Sequence, residues 1–326
     1  MSPPNRPFPF PILDDATVFE PTFLRPGFLN RGAAGTPAET AVSEGEDLGV
    51  ELVDEGEGEG PETEREPAVS AAAPSSATPP IALSPGARID PSVEVGPFVA
   101  VGPSVEIGPG CRLGASCVLE GPLTLGANNR IYSFAVLGAP PQDRSYAGEP
   151  TRLVVGDGNE FREHVTVHRG TAKDRGLTRI GSGGLFMAGA HVAHDCDVGD
   201  NVTLANGTLL GGHVTLEEHV VTGGRVAIAP KVRVGAGAFL AAGAMVEQDV
   251  PPFVIVAGDR ARVRALNLVG LERMGVPPSS REALERAFRH LYHSGDPLAE
   301  ARRSIEASLR ADPYVGRLLA FWQGRD

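Results

Sequence analysis

Cysteines and long apolar runs are both scarce in this 326-residue sequence. It has three cysteines, Cys111, Cys117 and Cys196, and none of them forms a CxxC pair. Three cysteines are too few, and an odd number, for a disulfide framework, which fits a reducing cytosol. We therefore expect a cytoplasmic protein. No stretch reaches the ~18 consecutive apolar residues of a membrane-spanning helix. The proline-broken start, MSPPNRPFPFPILDD, has no apolar core of the kind that marks a signal peptide.

The formal net charge of -12 is unevenly distributed. Acidic residues concentrate between Glu44 and Glu66, where Arg65 is the only basic residue. Residues 1–86 are rich in Pro, Gly, Ala, Ser and Glu and poor in large apolar side chains. Such a segment cannot bury enough surface to offset the entropy lost on ordering, so we predict a disordered acidic extension over 1–86. No nucleic-acid partner is expected.

From residue 89 onward an aliphatic residue returns every six positions. A period of six fits neither a lone strand nor an amphipathic helix, but it is the hexapeptide signature of a parallel β-helix. Three repeats close one coil, and stacked coils pile the aliphatic residues into columns. We therefore predict an all-β domain, a left-handed parallel β-helix, over residues 87–256. The series is Ile89, Val95, Val101, Ile107, Leu113, Leu119, Leu125, Ile131 and Leu137, then Val155, Phe161 and Val167, then Ile180, Phe186, Val192, Val198, Leu204, Leu210, Leu216, the polar Thr222, Ile228, Val234, Leu240 and Val246.

The six-residue phase is lost twice, roughly over Ala139–Leu153 and over Arg169–Arg179. Each break predicts a loop that leaves the coil. Loops extruded from a rigid solenoid usually carry function or shape an interface.

Helix signals replace the repeats after Val254, which predicts a small α-helical C-terminal domain over 257–326. Ser279 with Glu282 has the spacing of a capping box. Asp296-Pro297 and Asp312-Pro313 each resemble an N-cap followed by Pro at the first helical position. Three short helices are expected.

Four of the eight histidines cluster in the second half of the repeats, at 191, 194, 213 and 219. His191, His194 and His213 all fall outside the aliphatic slot, which disfavours a buried core role. His194 followed by Asp195 suits a general base with an orienting carboxylate. Two other interpretations stay open: ordinary surface imidazoles, and a catalytic zinc site of three histidines like that of the gamma-type carbonic anhydrases.

Six blocks of sequence, in order, resemble the UDP-N-acetylglucosamine O-acyltransferases that start lipid A biosynthesis in Gram-negative bacteria. The resemblance runs from about Ile89 to the C-terminus and leaves out residues 1–86. It fits this family better than the sister N-acyltransferases of the same pathway. The blocks are QDRSYAGEPTR (142–152), VTVHRGT (165–171), HVAHDCDVGDN (191–201), LANGTLLGGHV (204–214), QDVPPFVIVAGDRA (248–261) and NLVGLERMG (267–275).

The resemblance implies a direct acyl transfer in which His194 is the general base. It would take the proton from the sugar 3-hydroxyl as that oxygen attacks the thioester of a 3-hydroxyacyl carrier protein. Asp195 would orient the imidazole, and the Gly212 N–H would donate to the developing oxyanion. No enzyme nucleophile, metal or cofactor is implied beyond the phosphopantetheine of the donor. Cys196 would then only pack.

The same resemblance implies the substrate contacts and the assembly. Asp143, His191 and His213 would line the sugar and phosphopantetheine side, and Asn267 and Arg273 would reach the nucleotide. The site would lie between subunits of a homotrimer. An arginine-rich C-terminal part would suit an acidic acyl carrier protein.

Three positions depart from the family pattern. Ala229-Pro230 stands where the family often has a His-Gln pair, and Ser145 replaces a lysine of the first loop. Ala242 stands at the position that measures acyl length, often Gly. An added methyl there predicts a shorter acyl preference.

Other functions remain open at this point. The acceptor could be a 3-amino UDP-sugar, which would give an amide. A zinc-dependent enzyme of the carbonic anhydrase type and a non-catalytic β-helical scaffold are the other candidates.

Overall fold

The computed structural model describes residues 80–323. Nearly all of the predicted acidic extension lies outside them, so its disorder stays a prediction. The first strand, β1 (Ala82–Leu83), nevertheless precedes residue 87, where the sequence placed the start of the coil. Leu83 lies six residues before Ile89 and so extends the same aliphatic series by one repeat. The boundary drawn at 87 is therefore late.

Short strands and turns alternate through most of the described chain. The strands before the second loop are β1, then β2 Arg88–Ile89, β3 Glu94–Val95, β4 Ala100–Val101, β5 Val105–Ile107, β6 Arg112–Leu113, β7 Val118–Leu119, β8 Leu123–Leu125, β9 Arg130–Ile131, β10 Val136–Ala139, β11 Arg152–Val155, β12 Glu160–Phe161 and β13 Thr166–His168. The later strands are β14 Leu177–Ile180, β15 Leu185–Phe186, β16 His191–Val192, β17 Asp197–Val198, β18 Thr203–Leu204, β19 Leu209–Leu210, β20 Thr215–Leu216, β21 Val221–Thr222, β22 Ala227–Ile228, β23 Arg233–Val234, β24 Phe239–Leu240, β25 Met245–Val246, β26 Val254–Ala257 and β27 Arg262–Leu266.

Each strand from β1 to β25 pairs in parallel with the strand three elements away, so three sheets form. The first sheet runs β1-β4-β7-β10-β13-β16-β19-β22-β25, and the second is built the same way from β2. The third is built the same way from β3 as far as β24, where β26 and then β27 are added. Val192 lies in register with Val167 and with Leu210, and all three are buried. The hexapeptide residues thus stack inside a triangular coil, as the six-residue period predicts.

The three sheets meet at corners made of turns. We call the connections from the first to the second sheet the loop corner, and those from the third to the first sheet the return corner. Both predicted loops leave from the loop corner: the first loop (140–151) joins β10 to β11, and the second loop (169–176) joins β13 to β14. Two adjacent coils therefore extrude their loops at the same edge.

The coil ends where β27 pairs antiparallel with β26, and four helices follow. They are α1 Leu268–Arg273, α2 Pro278–His293, α3 Leu298–Leu309 and α4 Pro313–Ala320. None of the helices within residues 80–323 is long and apolar enough to span a membrane.

The helix-start predictions have mixed outcomes. Asp312 caps α4 as predicted and accepts from the N–H groups of Tyr314 and Val315. The capping box is wrong, because α2 begins at Pro278 and its N-cap, Pro277, offers no side-chain acceptor. The α3 N-cap is Pro297 instead of Asp296. The six-residue α1 was missed, since it is too short for an apolar period to show.

Candidate active site

The predicted catalytic residues lie on successive turns of the loop corner. His194 and Asp195 form the turn between β16 and β17, and Gly212 and His213 form the turn one coil further on, between β19 and β20. Adjacent coils are spaced about 4.8 Å apart, as strands in any sheet are. Residues eighteen positions apart in sequence are therefore direct neighbours.

His194 and Asp195 make the hydrogen bond that the sequence suggested. The Nδ1 of His194 lies 2.8 Å from Oδ2 of Asp195. Asp195 has φ +59°, a left-handed conformation that Asp tolerates better than most residues, and its side chain is fully buried. Since the carboxylate accepts at Nδ1–H, the unprotonated Nε2 of His194 is left to take a proton.

Thr171 completes the surroundings of this carboxylate. Its N–H donates to Oδ1 of Asp195 at 2.8 Å, and its hydroxyl donates to Oδ2 at 2.7 Å. The Asp195 N–H in turn donates to Oγ1 of Thr178 at 2.8 Å. A buried carboxylate with three donors is held in one orientation, and it holds the imidazole of His194 in one orientation too.

Gly212 lies against the ring of His194. A Cβ at position 212 would stand 2.6 Å from Cε1 and 2.8 Å from Nε2 of His194. Any side chain would therefore push the ring away. The Gly212 N–H has no hydrogen-bond acceptor among residues 80–323, so it remains available to an oxygen placed beside Nε2.

His213 faces two carboxylates. Its Nδ1 lies 3.1 Å from Oδ2 of Asp174, in the second loop. Its Nε2 lies 3.7 Å from Oδ2 of Asp195, and its ring meets that of His194 edge-on with centroids 5.2 Å apart. The structure thus brings His194, Asp195, Gly212 and His213 into one group.

His191 lies beside this group, on the outward side of the first sheet. Its Nδ1 is 2.7 Å from Oγ1 of Thr166, and its ring meets His168 edge-on at 5.2 Å. Burial, helped by the charges of His168 and His194, lowers the pKa of His191 to about 4. This histidine is therefore neutral at neutral pH and offers a hydrogen bond instead of a charge.

Asp143, in the first loop, has a cationic partner that the sequence did not predict. Lys173 of the second loop places Nζ 2.7 Å from Oδ2 of Asp143, and Ser145 donates to Oδ1 from both N–H and hydroxyl. These contacts hold the pKa of Asp143 well below its usual range, and the hydrogen bond from Lys173 contributes most. The second loop thus supplies an ammonium group to the carboxylate of the first loop.

Asn267, Arg273 and Ala242 lie away from the histidines within one chain. Asn267 caps α1 by accepting from the Gly270 N–H and donates to the Gly237 carbonyl, so its side chain is engaged inside the chain. Arg273 is exposed in the last turn of α1. Ala242 lies at the return corner between β24 and β25. Their substrate roles stay predictions.

Cys196 has the properties of a packing residue. It is buried beneath the turn, with Sγ 3.2 Å from the Gly211 carbonyl, and burial raises the pKa of its thiol to about 12. A thiolate is the nucleophilic form of cysteine. Among the described residues, the group therefore combines the imidazole of His194 and the free backbone N–H of Gly212 with a protonated thiol at Cys196.

Sequence reasoning missed the roles of Thr171, Lys173 and Asp174. All three belong to the second loop, and each pairs with a residue between 24 and 39 positions away. The phase break that exposed the loop, together with its adjacent charges at 173 and 174, was the available signal. Their partners could not be read from spacing.

Comparisons with known proteins place the chain among acyltransferases. A family model described as "Udp N-acetylglucosamine O-acyltransferase; Domain 2" matches residues 249–326, and one described as "Bacterial transferase hexapeptide (six repeats)" matches residues 86–121. The acyl-[acyl-carrier-protein]–UDP-N-acetylglucosamine O-acyltransferase of Verminephrobacter eiseniae is 45% identical over 198 residues, 61% of this chain and 76% of the relative. That of Syntrophobacter fumaroxidans is 46% identical over 205 residues, 63% and 80% of the two chains.

Solved structures agree over the described coil and helices. The LpxA structure from Acinetobacter baumannii superposes with a TM-score of 0.71 at 33% identity, covering 74% of this chain and 93% of that one. A UDP-N-acetylglucosamine acyltransferase from Arabidopsis gives 0.63 at 34% identity, covering 74% and 98%. These neighbours bear out the left-handed β-helix predicted from the repeats.

Proposed function

The chain belongs to the acyl-[acyl-carrier-protein]–UDP-N-acetylglucosamine O-acyltransferase family, and from this membership we propose its reaction. A 3-hydroxyacyl group passes from acyl carrier protein to the 3-hydroxyl of UDP-N-acetylglucosamine, the first step of lipid A biosynthesis. The observation that carries the proposal is the His194–Asp195 pair at 2.8 Å, with the glycine backbone of residue 212 against the ring.

In the proposed mechanism, His194 Nε2 takes the proton of the sugar hydroxyl as that oxygen attacks the thioester carbon. Asp195 stabilises the imidazolium that forms, as a buried carboxylate beside Nδ1–H does. The oxyanion accepts from the Gly212 N–H. Collapse expels the phosphopantetheine thiolate, to which the imidazolium returns the proton. The raised pKa of Cys196 supports direct transfer without an acyl-enzyme.

Assembly as a homotrimer is part of the proposal, supported by the outward face of the first sheet. The column at this face has no Asp, Glu, Lys or Arg, whereas the second sheet carries Arg88, Glu106, Arg179, Asp197 and Arg233 on its outward column. The uncharged column is Ala82, Ala100, Val118, Val136, Thr166, His191, Leu209, Ala227 and Met245.

A threefold axis facing this column would also join the two halves of the site. When three triangular coils turn one face to a common axis, the loop corner of each meets the return corner of the next. His194 of one subunit would then face the return corner that carries Ala242. β18 belongs to the same coil as His194. Ala242 follows β24, which lies two coils beyond β18, a distance of about 10 Å along the coil axis. That offset suits a groove running along the coil with Ala242 at its end, consistent with a shorter acyl preference.

Exposed arginines support docking of an acidic carrier protein near the C-terminal helices. Arg262, Arg264 and Arg286 have exposed side chains, and within residues 80–323 none of them pairs with a carboxylate. We further propose a cytoplasmic location, supported by the three cysteines, all of which are free thiols.

The test is an acyl-transfer assay with a panel of 3-hydroxyacyl carrier proteins, offering UDP-N-acetylglucosamine and its 3-amino analogue, beside His194→Ala. We expect product with the natural sugar and a loss of at least 10³-fold in the variant, since its general base is gone. Product with the 3-amino sugar alone would assign N-acylation instead. No product with either acceptor from a folded oligomer would refute the acyltransferase assignment.

A further inference from the structure

Three side chains of the loop corner converge in the manner of metal ligands. One ligand atom from each of His194, Asp195 and His213 lies within 4.8 Å of the others. Nδ1 of His194 is 2.8 Å and Nε2 of His213 is 3.7 Å from Oδ2 of Asp195. In tetrahedral zinc sites with bonds near 2.1 Å, ligand atoms stand about 3.4 Å apart. The two observed distances bracket this value, so small side-chain movements suffice.

Zinc-binding histidines ordinarily donate a hydrogen bond to a carboxylate from the ring nitrogen that does not bind the metal. Asp174 is placed to accept such a hydrogen bond from His213. Its Oδ2 is 3.1 Å from Nδ1 of His213. That contact fixes the ring so that Nε2 faces Asp195. A carboxylate–histidine pair of this kind orients the ligand and raises its basicity. The acyl-transfer mechanism has no step for Asp174.

The burial of the three side chains also suits a metal ion. The side chain of Asp195 is fully buried, whereas those of His194 and His213 are 18% and 24% exposed. An ion can thus enter from solvent past the imidazoles and keep an open coordination position. Two imidazoles and one carboxylate favour Zn²⁺ and Co²⁺ over Mg²⁺, which prefers oxygen ligands.

We propose that His194 Nδ1, Asp195 Oδ2 and His213 Nε2 form an inhibitory binding site for Zn²⁺, with Asp174 as the positioning residue of His213. Zinc on Nδ1 of His194 displaces the hydrogen bond to Asp195. The neutral ring then carries its proton on Nε2, the nitrogen that must accept the hydroxyl proton, so acyl transfer stops. Binding stands on the geometry alone, whereas inhibition rests on the proposed function.

The first experiment measures binding without substrate, on the full chain. Equilibrium dialysis against Zn²⁺ followed by metal analysis should give one ion per chain, and Co²⁺ should give the intense visible bands of tetrahedral coordination. Mg²⁺ at the same concentration should not bind. Asp174→Ala should weaken Zn²⁺ binding by about 10- to 100-fold, the usual cost of losing such a carboxylate.

Two further variants make the result decisive. His213→Asn should abolish stoichiometric binding, and Asn suits the left-handed backbone at position 213, where φ is +62°. His293→Gln, on an exposed turn of α2, should bind Zn²⁺ like the unaltered chain. Equal zinc affinity in the unaltered chain, Asp174→Ala and His213→Asn would overturn the site.

Activity measured over the same Zn²⁺ range separates the two proposals. Inhibition with a midpoint at the measured Kd is the expected result, and a chelator should reverse it. Stoichiometric binding without inhibition would refute the inhibitory role and count against His194 as the base. Absence of binding, with activity that still depends on His194, would refute the zinc site and leave the acyltransferase intact.

Discussion

Position 212 is where a single methyl group should matter most. A Cβ there would stand 2.6 Å from Cε1 of His194, so Gly212→Ala must displace the ring of the proposed general base. A displacement near 1 Å can cost about 100-fold in rate, and we expect kcat to fall by roughly 10- to 100-fold. Steady-state kinetics with saturating acyl carrier protein measures this directly.

Gly224→Ala is the matched control. Gly224 also opens a two-residue corner turn, but a Cβ there would meet only the Asn206 carbonyl, at an ordinary 3.6 Å. We expect its kcat to stay within about twofold of the unaltered chain. Equal losses in the two variants would mean that the turn itself, and not the contact with His194, governs the rate.

Lys173 joins the second loop to the first. Its ammonium group holds Asp143 in the first loop at 2.7 Å. Lys173→Gln should raise KM for the UDP-sugar on the order of fivefold, the effect of losing one charged hydrogen bond. The melting temperature should change little, because exposed ion pairs contribute little stability.

Two further substitutions test that prediction. Lys173→Arg keeps the positive charge and should restore much of the affinity. Arg112→Gln removes an exposed ion pair with Glu94, on the third sheet, and should leave KM unchanged. If Lys173→Gln and Arg112→Gln have the same KM, Lys173 has no part in substrate binding.

At the scale of elements, the neighbouring strands β13 and β16 carry a pH-sensitive pair, His168 and His191. Burial, with the charges of His168 and His194, lowers the pKa of His191 from 6.5 to about 4, and burial lowers that of His168. Since His191 takes up its proton less readily in the folded chain, the unfolded chain binds more protons between pH 4 and 6.5. The free energy of unfolding should therefore be independent of His191 above pH 6.5 and fall as pH drops towards 4.

Chemical denaturation at a series of pH values measures this dependence. His191→Asn, which can keep a hydrogen bond to Thr166, should make the loss of stability between pH 6.5 and 4 shallower. His293→Gln changes an exposed ring outside the sheet and should leave the slope as it is. A slope unaffected by His191→Asn would show that His191 takes up its proton equally in the folded and unfolded chains.

The coil could be predicted from the sequence because the aliphatic residue of each six-residue repeat marks a buried position. Val192, Val198 and Leu204 are six residues apart, and all three are buried in the structure. The two loops were equally visible as breaks in that period. The starts of the helices were less predictable, because the N-cap residue of both α2 and α3 is a proline that makes no side-chain hydrogen bond.

In the candidate site, too, some contacts could be predicted from the sequence and others could not. His194 and Asp195 are adjacent in sequence, so their pairing could be proposed from the chain alone. Lys173 with Asp143 and Asp174 with His213 join a loop to distant residues. Such contacts depend on loop conformation, which no periodicity records. Gly212 against His194 follows from eighteen residues per coil, once the coil is known.

At the scale of the whole molecule, the uncharged face of the first sheet predicts how copies assemble. Leu209 and Met245 are 49% and 44% exposed on this face in the single chain. Large apolar side chains along one flat face mark an interaction surface. Leu209→Glu and Met245→Glu would each bury a charge in the proposed trimer interface, which costs several kcal/mol when the charge is unpaired. Both variants should therefore elute as monomers, whereas we expect the unaltered chain to elute as a trimer.

Light scattering coupled to size exclusion measures the mass, and the acyl-transfer assay is run on the same fractions. Activity should fall with the trimer, because in the proposed assembly the loop corner of one subunit forms the site together with the return corner of the next. Met245→Glu is the more informative variant, because Met245 lies three coils from His191, whereas Leu209 is the direct neighbour of His191 in the sheet. Leu298→Glu, a leucine 45% exposed on α3, is the matched control and should stay trimeric and active. A monomeric Met245→Glu with full activity would show that one coil holds a complete site.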